Sequence, residues 1–330
     1  MSKEAIDRIE AELLAAPGKR YVVLATTANR NNPPFYVGGL RRGQGVAMAN
    51  FIFAAPDLLS EVISKFDGGI EAFLLDTEIK NTFNDLEDRA AELIRKTPII
   101  RIKPNDMTVA ALDMWFPLIL ASLRGKTVLI VGAGNVGAKI ALLLAERGAE
   151  AKLLGRDAKK LSRIVAGLAE ICRGHGHVTL ADMEKPATGA SVILGCTPGI
   201  PAVTALMIEQ AATDAIVIDV GNGTLFPEAI EAARQRGIKV FCLSPEAGFI
   251  GWMAAFAHAR EQIGRMKRRM LHGGASVIGP GILGAYGDVL VDNPDNWQRI
   301  IGVCDGQGDI LSPDEAERFI SNLKGGKQCS

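Results

Sequence analysis

The chain has 330 residues, 48% of them hydrophobic, with 37 basic and 37 acidic side chains. That length exceeds one ordinary core and suits two domains. The balanced charge removes any electrostatic reason to expect nucleic acid or an anionic membrane as partner. The five cysteines, Cys172, Cys196, Cys242, Cys304 and Cys329, are odd in number and form no CxxC pair. They argue against a disulfide framework or a zinc site and fit a reducing compartment. The opening "MSKEAIDRIEAELL" is charged and amphipathic, unlike a signal peptide. No apolar run reaches transmembrane length. A soluble, cytoplasmic chain is expected.

In chain order, "YVVLATT", "AFLLDTEI" and "PIIRI" read as strands, and "PDLLSEVISKF" and "LEDRAAELIRK" as helices. Residues 1–115 are therefore expected to form a small α/β substrate domain. "TVAALDMWFPLILASLRG" reads as a linking helix, with Pro117 kinking it or marking its end. From "VLIV" onward, short apolar runs alternate with helical stretches: "VGAKIALLLAERG", "AEAKLLG", "DAKKLSRIVAGLAEIC", "SVILGC", "PAVTALMIEQAA", "AIVIDVG", "FPEAIEAARQRG" and "KVFCL". That alternation predicts a doubly wound parallel sheet of Rossmann type over 124–246. "FIGWMAAFAHAREQIGRMKRRM" predicts one further helix crossing back, so that 247–330 complete the first domain. Residues 272–308 are Gly-rich and read as an insertion. Ser312 and Glu315 form a capping box ahead of the last helix. The fold class is thus α/β with two domains.

Gly132, Gly134 and Gly137 in "VLIVGAGNVG" make GxGxxG. Alone the pattern is weak, but here it follows a strand and opens a helix within a βαβ unit. The first glycine permits the tight turn, the second admits a pyrophosphate to the backbone, and the third lets helix and strand pack closely. Asn135 and Val136 then present free N–H groups at the helix N-terminus. A dinucleotide site follows.

The end of the second strand separates NAD from NADP. An NAD site usually has an acid there for the ribose hydroxyls. "LLGRDAKK" has Gly155 at that position, followed by Arg156, with Lys159 and Lys160 in the next turn. Arg156 and Lys160 suit a 2′-phosphate, so NADP is expected over NAD. Asp157 is expected to cap the next helix. At the nicotinamide end, Thr197 and Pro198 in "GCTPGIP", and Val220 and Gly221 in "DVGNGT", lie at carboxyl ends of strands, where open sheets bind ligands. Turn chemistry alone accounts for the same dipeptides equally well.

The substrate belongs in a cleft facing these loops. "LLDTEIKN" ends one strand with Asp76, Glu78, Lys80 and Asn81, and "KPNDMT" ends the next with Asn105 and Asp106. Lys80 and Asp106 are the candidate acid–base pair. Asn81 and Asn105 are candidate substrate ligands, with Asn105 as a helix cap the competing reading. "TTANRNNPP" is a third polar strand end. His175 and His177 form an HxH without a third ligand, so no metal site is expected. His258 reads as a packed residue, and the aromatics Trp115, Phe116, Phe249 and Trp252 as packing of the linking helices.

"LRGKTVLIVGAGNVGAKIALLLAERGAEAKLLGRDAKKL" resembles the cofactor-binding core of NADP-dependent methylene-tetrahydromethanopterin and methylene-tetrahydrofolate dehydrogenases. Shikimate dehydrogenases share that architecture. The resemblance is best over 124–165 and looser through "DVGNGT". It implies an NADP-dependent oxidoreductase of one-carbon metabolism acting on a methylene-tetrahydropterin, a reaction that needs no strong general base. The first domain departs from the family: it lacks the shikimate-type lysine motif and the tyrosine–lysine spacing of the folate enzymes. Two other readings therefore stay open. One is reduction of a ketone or imine acid, shikimate- or amino-acid-like; the other is a non-catalytic NADP(H)-binding regulator. A homodimer is the expected assembly.

Overall fold

Apolar residues at helical spacing turn Ser2–Leu14 (α1) into an amphipathic helix that buries Ile6, Ile9 and Leu13. In the computed structural model, which describes residues 2–80, 83–271 and 274–326, α1 covers one face of a five-stranded sheet. The strands are β1 (Lys19–Thr26), β2 (Phe35–Gly43), β3 (Val46–Phe53), β4 (Ala72–Asp76) and β5 (Ile99–Ile102), in the order β2-β3-β1-β4-β5. All pairings are parallel except β2 with β3. The helices α2 (Leu59–Phe66) and α3 (Leu86–Leu93) join α1 on that face. Side chains alternate along each strand, so Val22, Leu24, Phe51, Phe73 and Leu75 meet Val62, Phe66 and Leu86 in one core.

The strands β2 and β3 add to the three expected here. They are joined through Gln44 and Gly45, with φ of 50° and 73°, the two positive values that a tight hairpin of right-handed twist requires. Gly38, Gly39 and a register shift between Val37 and Leu40 interrupt β2, which hides its alternation.

The helix α4 (Pro104–Ile119) leaves this sheet. Proline is at home in a first helical turn, where its missing N–H is an orphan anyway. Pro117 stands in the last turn, and the helix ends two residues later, as a boundary rather than a kink. A second sheet follows, with strands β6 (Thr127–Val131), β7 (Glu150–Leu154), β8 (His177–Leu180), β9 (Val192–Gly195), β10 (Ile216–Asp219) and β11 (Lys239–Cys242). Their order, β11-β10-β9-β6-β7-β8, is wholly parallel. This is the Rossmann arrangement, with chain direction across the sheet reversing between β6 and β9. The helices α5 (Asn135–Glu146), α6 (Ala158–Ile171), α7 (Ala205–Gln210) and α8 (Pro227–Gln235) complete it. Val128 and Ile130 point to the α4–α5 side, while Leu129 and Val131 point to the α7–α8 side, so both faces are buried, as a parallel sheet demands. The strand β8 is an addition to the expected set. It is a short edge strand whose burial reads exposed, buried, half-buried, exposed, so no apolar run announces it.

The helix α4 lies alongside α5. Asp106 pairs with Lys139, and two turns further Asp113 pairs with Arg147 at 2.5 Å. The next helix, α9 (Glu246–Arg265), starts against α4: a β-carbon at Gly248 would fall 1.9 Å from the Met107 carbonyl oxygen. The helix stops at Arg265, although helical spacing predicts that it runs on through "RMKRRM".

The chain divides into two compact units, Met1–Trp252 and Met253–Ser330. The second unit holds its own four-stranded sheet, β12 (Arg268–Met270), β13 (Ser276–Ile278), β14 (Val289–Val291) and β15 (Ile300–Val303), and the helix α10 (Pro313–Gly326). Its core is Val277, Val289, Val291, Val303, Ala316 and Leu323. The Gly-rich stretch expected as an insertion supplies three of these strands. Of the expected capping box the glutamate half forms: Glu315 Oε2 accepts the Ser312 N–H at 3.3 Å and also its hydroxyl at 2.6 Å. No helix among the described residues is long and apolar enough to cross a membrane.

Candidate functional site

Two ends of the larger unit converge on one region. The first is the glycine turn after β6. Gly132 has φ of 111°, and a β-carbon there would meet Cys196 C at 2.8 Å and Thr197 N at 2.9 Å. At Gly137 it would meet the Gly132 carbonyl oxygen at 1.9 Å. Both glycines thus allow backbone to lie on backbone where β6 and β9 part. Gly134 differs: a β-carbon there meets nothing within 4 Å, and no side chain caps α5. The open space and the uncapped N–H groups of Asn135, Val136 and Gly137 are what a pyrophosphate uses. Asn135 is exposed, and Val136 packs its side chain on the core, so both would serve through backbone. The residues present fit a dinucleotide.

At the end of β7, Arg156, Lys159 and Lys160 are all exposed. Asp157 caps α6, accepting the Lys160 N–H at 3.0 Å, as expected. The Arg156 side chain makes no ion pair among the described residues and stays available.

The loops after β9 and β10 are built on themselves. Asp219 accepts the N–H of Gly223 at 2.6 Å and the hydroxyl of buried Thr224 at 2.8 Å. A β-carbon at Gly195 would fall 1.8 Å from that hydroxyl, and one at Gly221 1.8 Å from the Thr197 carbonyl oxygen. Thr197 Oγ1 donates to the Ile200 carbonyl at 2.5 Å. Asp219 and Thr197 therefore spend their side chains shaping the loops. Pro198 is exposed at the tip of its loop, and Val220 is half-buried against the core. Burial, with the Asp219 carboxylate nearby, pushes the Cys196 thiol up, so it stays protonated and unreactive.

The second end is the carboxyl edge of the first sheet. Asp76, buried at the end of β4, accepts from Thr26 N (3.0 Å), Thr26 Oγ1 (3.1 Å), Glu78 N (2.9 Å) and Lys80 Nζ (2.6 Å). The Lys80 side chain is 9% exposed and Asp76 fully buried, so this is an enclosed ion pair with most lone pairs used. Removing one partner of such a pair costs about 3–5 kcal/mol. Glu78 stands 3.8 Å from Lys80 and accepts the Asn105 N–H at 2.8 Å. Asn105 thus caps nothing itself: it lies inside α4, and Glu78 does the capping from the β4 loop. The other substrate candidate, Asn81, lies outside the described residues.

Asp106 is not beside Lys80. Its carboxylate is shared by Lys103, at 2.6 Å, and Lys139 of α5. Burial would raise its pKa, but the two ammonium groups outweigh that and hold it below the ordinary value. The charge stays on at neutral pH, which suits an anchor between α4 and the phosphate helix better than a proton donor. Sequence reasoning misses Lys139 because its partner lies 33 residues away. It misses Thr26 because that residue reads as the last of an apolar strand.

Asn29 joins the two ends. A β-carbon at Gly199, in the loop after β9, would fall 2.1 Å from Asn29 Nδ2 and 3.2 Å from the Asn222 carbonyl oxygen. The end of β1 therefore abuts the loops expected at the nicotinamide. His177 opens β8, exposed, 3.9 Å from Glu150. Among the described residues no three ligand-type side chains gather for a metal.

Residues 119–246 match a family model described as NAD(P)-binding, and the chain carries an NAD(P)-binding, Rossmann-like domain. A malate dehydrogenase of Sulfurimonas denitrificans is 25% identical over 218 residues, 62% of this chain and 67% of that protein. Among solved structures, a dipicolinate synthase chain of Bacillus halodurans overlaps 74% of this chain and 98% of its own, at 14% identity and a TM-score of 0.37. Shikimate dehydrogenase of Aquifex aeolicus overlaps 70% and 88%, at 16% identity and 0.40. The NAD(P)-binding domain and the dehydrogenase relative support an oxidoreductase.

Two outcomes follow from this geometry. Gly134→Val meets open space, so its thermal stability should match the parent while NADPH affinity, read by fluorescence titration, falls at least about tenfold. Equal affinity would place the phosphates elsewhere. Asp106→Asn should be less stable than the parent near neutral pH in urea unfolding. A depressed carboxyl stabilises the fold above the unfolded value of about 3.9 and loses that contribution as pH falls through the folded value. The gap between the two proteins should therefore close at acid pH; a gap independent of pH would show that the ion pairs are not its source.

Proposed function

We propose that the chain is an NADP-dependent dehydrogenase or reductase of a small ketone or imine acid, with Lys80 as proton donor. The observation that carries this reading is the Lys80 ammonium, held on buried Asp76 at the edge where β1 and β4 end. A proton donor must be fixed within hydrogen-bond reach of the developing oxyanion or amine. Asp76 fixes it, and Thr26 and Glu78 hold Asp76 in turn. Asn29 sets this edge against the loops after β9 and β10.

When bound, the nicotinamide supplies the hydride. The glycine turn and the start of α5 bind the pyrophosphate, and Arg156 with Lys160 take the 2′-phosphate, since a bidentate guanidinium replaces the missing acid. Lys80 polarises the substrate's carbonyl or imine and gives up one proton to it, to be restored from solvent. Enclosure strengthens that interaction by excluding water. Asp106 and Lys139 keep α4, and with it the Glu78–Lys80 loop, at a set distance from the phosphate helix.

A methylene-tetrahydropterin substrate needs no such donor, which makes the two chemistries separable. Lys80→Arg keeps a cation on Asp76, and so the fold, but yields no proton at neutral pH. Its kcat for carbonyl or imine reduction should fall by about 10²-fold or more with NADPH binding unchanged. An unchanged kcat would overturn the proton-donor role and favour the pterin-type reaction.

A further inference from the structure

The other face of the first sheet holds a cation that the reading above leaves unused. Arg41 stands on β2 opposite Met48, and Tyr36 opposite Ile52, so both share the face turned away from α1–α3. The Arg41 guanidinium lies 4.2 Å from the centre of the Phe249 ring. Its Nη1 is enclosed and has no hydrogen-bond partner, and among the described residues none of the guanidinium N–H groups finds an acceptor. An arginine carries five donors, and a half-buried one without an acceptor is costly unless something answers it. Burial depresses its basicity, opposed at a distance by Glu246 and Tyr36. Glu246 is exposed on the first turn of α9 and makes no hydrogen bond to it.

Tyr36 also has donor capacity to spare. Its hydroxyl accepts from Asn32 Nδ2 at 3.3 Å, while its own proton has no acceptor among the described residues. The same Asn32 amide donates to Thr27 Oγ1 at 2.8 Å, and Thr27 follows Thr26, the partner of Asp76. One side-chain amide therefore links Tyr36 to the edge that carries Lys80.

We propose that Arg41 and Tyr36 form an anion subsite that takes the carboxylate of the substrate, with the Phe249 ring as its wall. This rests on the acid substrate proposed above and sharpens it. Two strand spacings, about 10 Å, separate β1 from β2, and Arg41, level with Met48 and Tyr21, lies five residues before the Thr26 end, a further ~16 Å along the strands; the long side chains span only part of that. The substrate is then an acid whose carboxylate stands several bonds from the reacting carbon, not beside it.

The test uses the NADPH-saturated full chain and reads thermal shift with acetate, succinate, glutarate and benzoate, and with dimethyl glutarate as the uncharged control. Glutarate should stabilise the protein and its ester should not. Arg41→Leu should weaken glutarate on the order of 10²-fold, as loss of a buried charge pair does, and Arg41→Lys by less, since a point charge replaces the fork. NADPH affinity should be the same in all three proteins. Without carboxylate, Arg41→Leu should melt close to the parent, since it loses the Phe249 contact together with a partly desolvated charge. If no acid of the set stabilises the parent, or glutarate stabilises Arg41→Leu equally, the subsite is wrong. None of these readouts involves turnover, so a failure of Lys80 as proton donor would leave them unaffected.

Discussion

The architecture of the site depends on backbone lying against backbone where β6 and β9 part. Gly132 rests on the Cys196–Thr197 peptide, Gly137 on the Gly132 carbonyl, Gly221 on the Thr197 carbonyl, and Gly195 on the Thr224 hydroxyl. Any β-carbon at these four positions overlaps its neighbour outright. Three of these contacts set backbone on backbone and the fourth sets backbone on the Thr224 hydroxyl, and together they bring three loops of the Rossmann sheet to one place. Gly134, in the same turn, has room in front of it, and that contrast separates a glycine kept for packing from one kept for a ligand.

The first sheet meets this arrangement through charge as well as packing. Asp76 gathers the ends of β1 and β4 and the loop to Lys80 around one carboxylate. Glu78 then reaches the first turn of α4, whose next residue, Asp106, grips α5 through Lys139. A continuous polar path thus runs from the phosphate helix to the enclosed lysine of that edge. Enclosed pairs of this kind add little stability for their desolvation, so their value lies in fixing geometry.

The parts of this fold that are legible in the sequence are those buried on both sides. "VLIV", "SVILG" and "AIVID" are short apolar runs because parallel strands covered by helices have no wet face. Edge and interrupted strands are not legible. The strand β2 has a bulge and two glycines, β8 mixes polar and apolar residues, and the strands of the second unit are three or four residues long among glycines. At the site, strand-end position is enough to single out Lys80. It cannot say that Asp106 turns to Lys139, nor that Arg41, in the unread strand β2, is half-buried with its Nη1 enclosed and without an acceptor. Those facts depend on contacts between residues far apart in the chain, which no local pattern encodes.

Whether the glycine turn and Arg156 hold a dinucleotide bearing a 2′-phosphate is the point on which the functional reading stands. Parallel titration of the full chain with NADPH and NADH, followed by the quenching of protein fluorescence, addresses it most directly. Both should bind, with NADPH tighter by about tenfold or more at low salt, and the difference shrinking as salt screens the exposed Arg156, Lys159 and Lys160. Equal affinities, or tighter NADH, would contradict it.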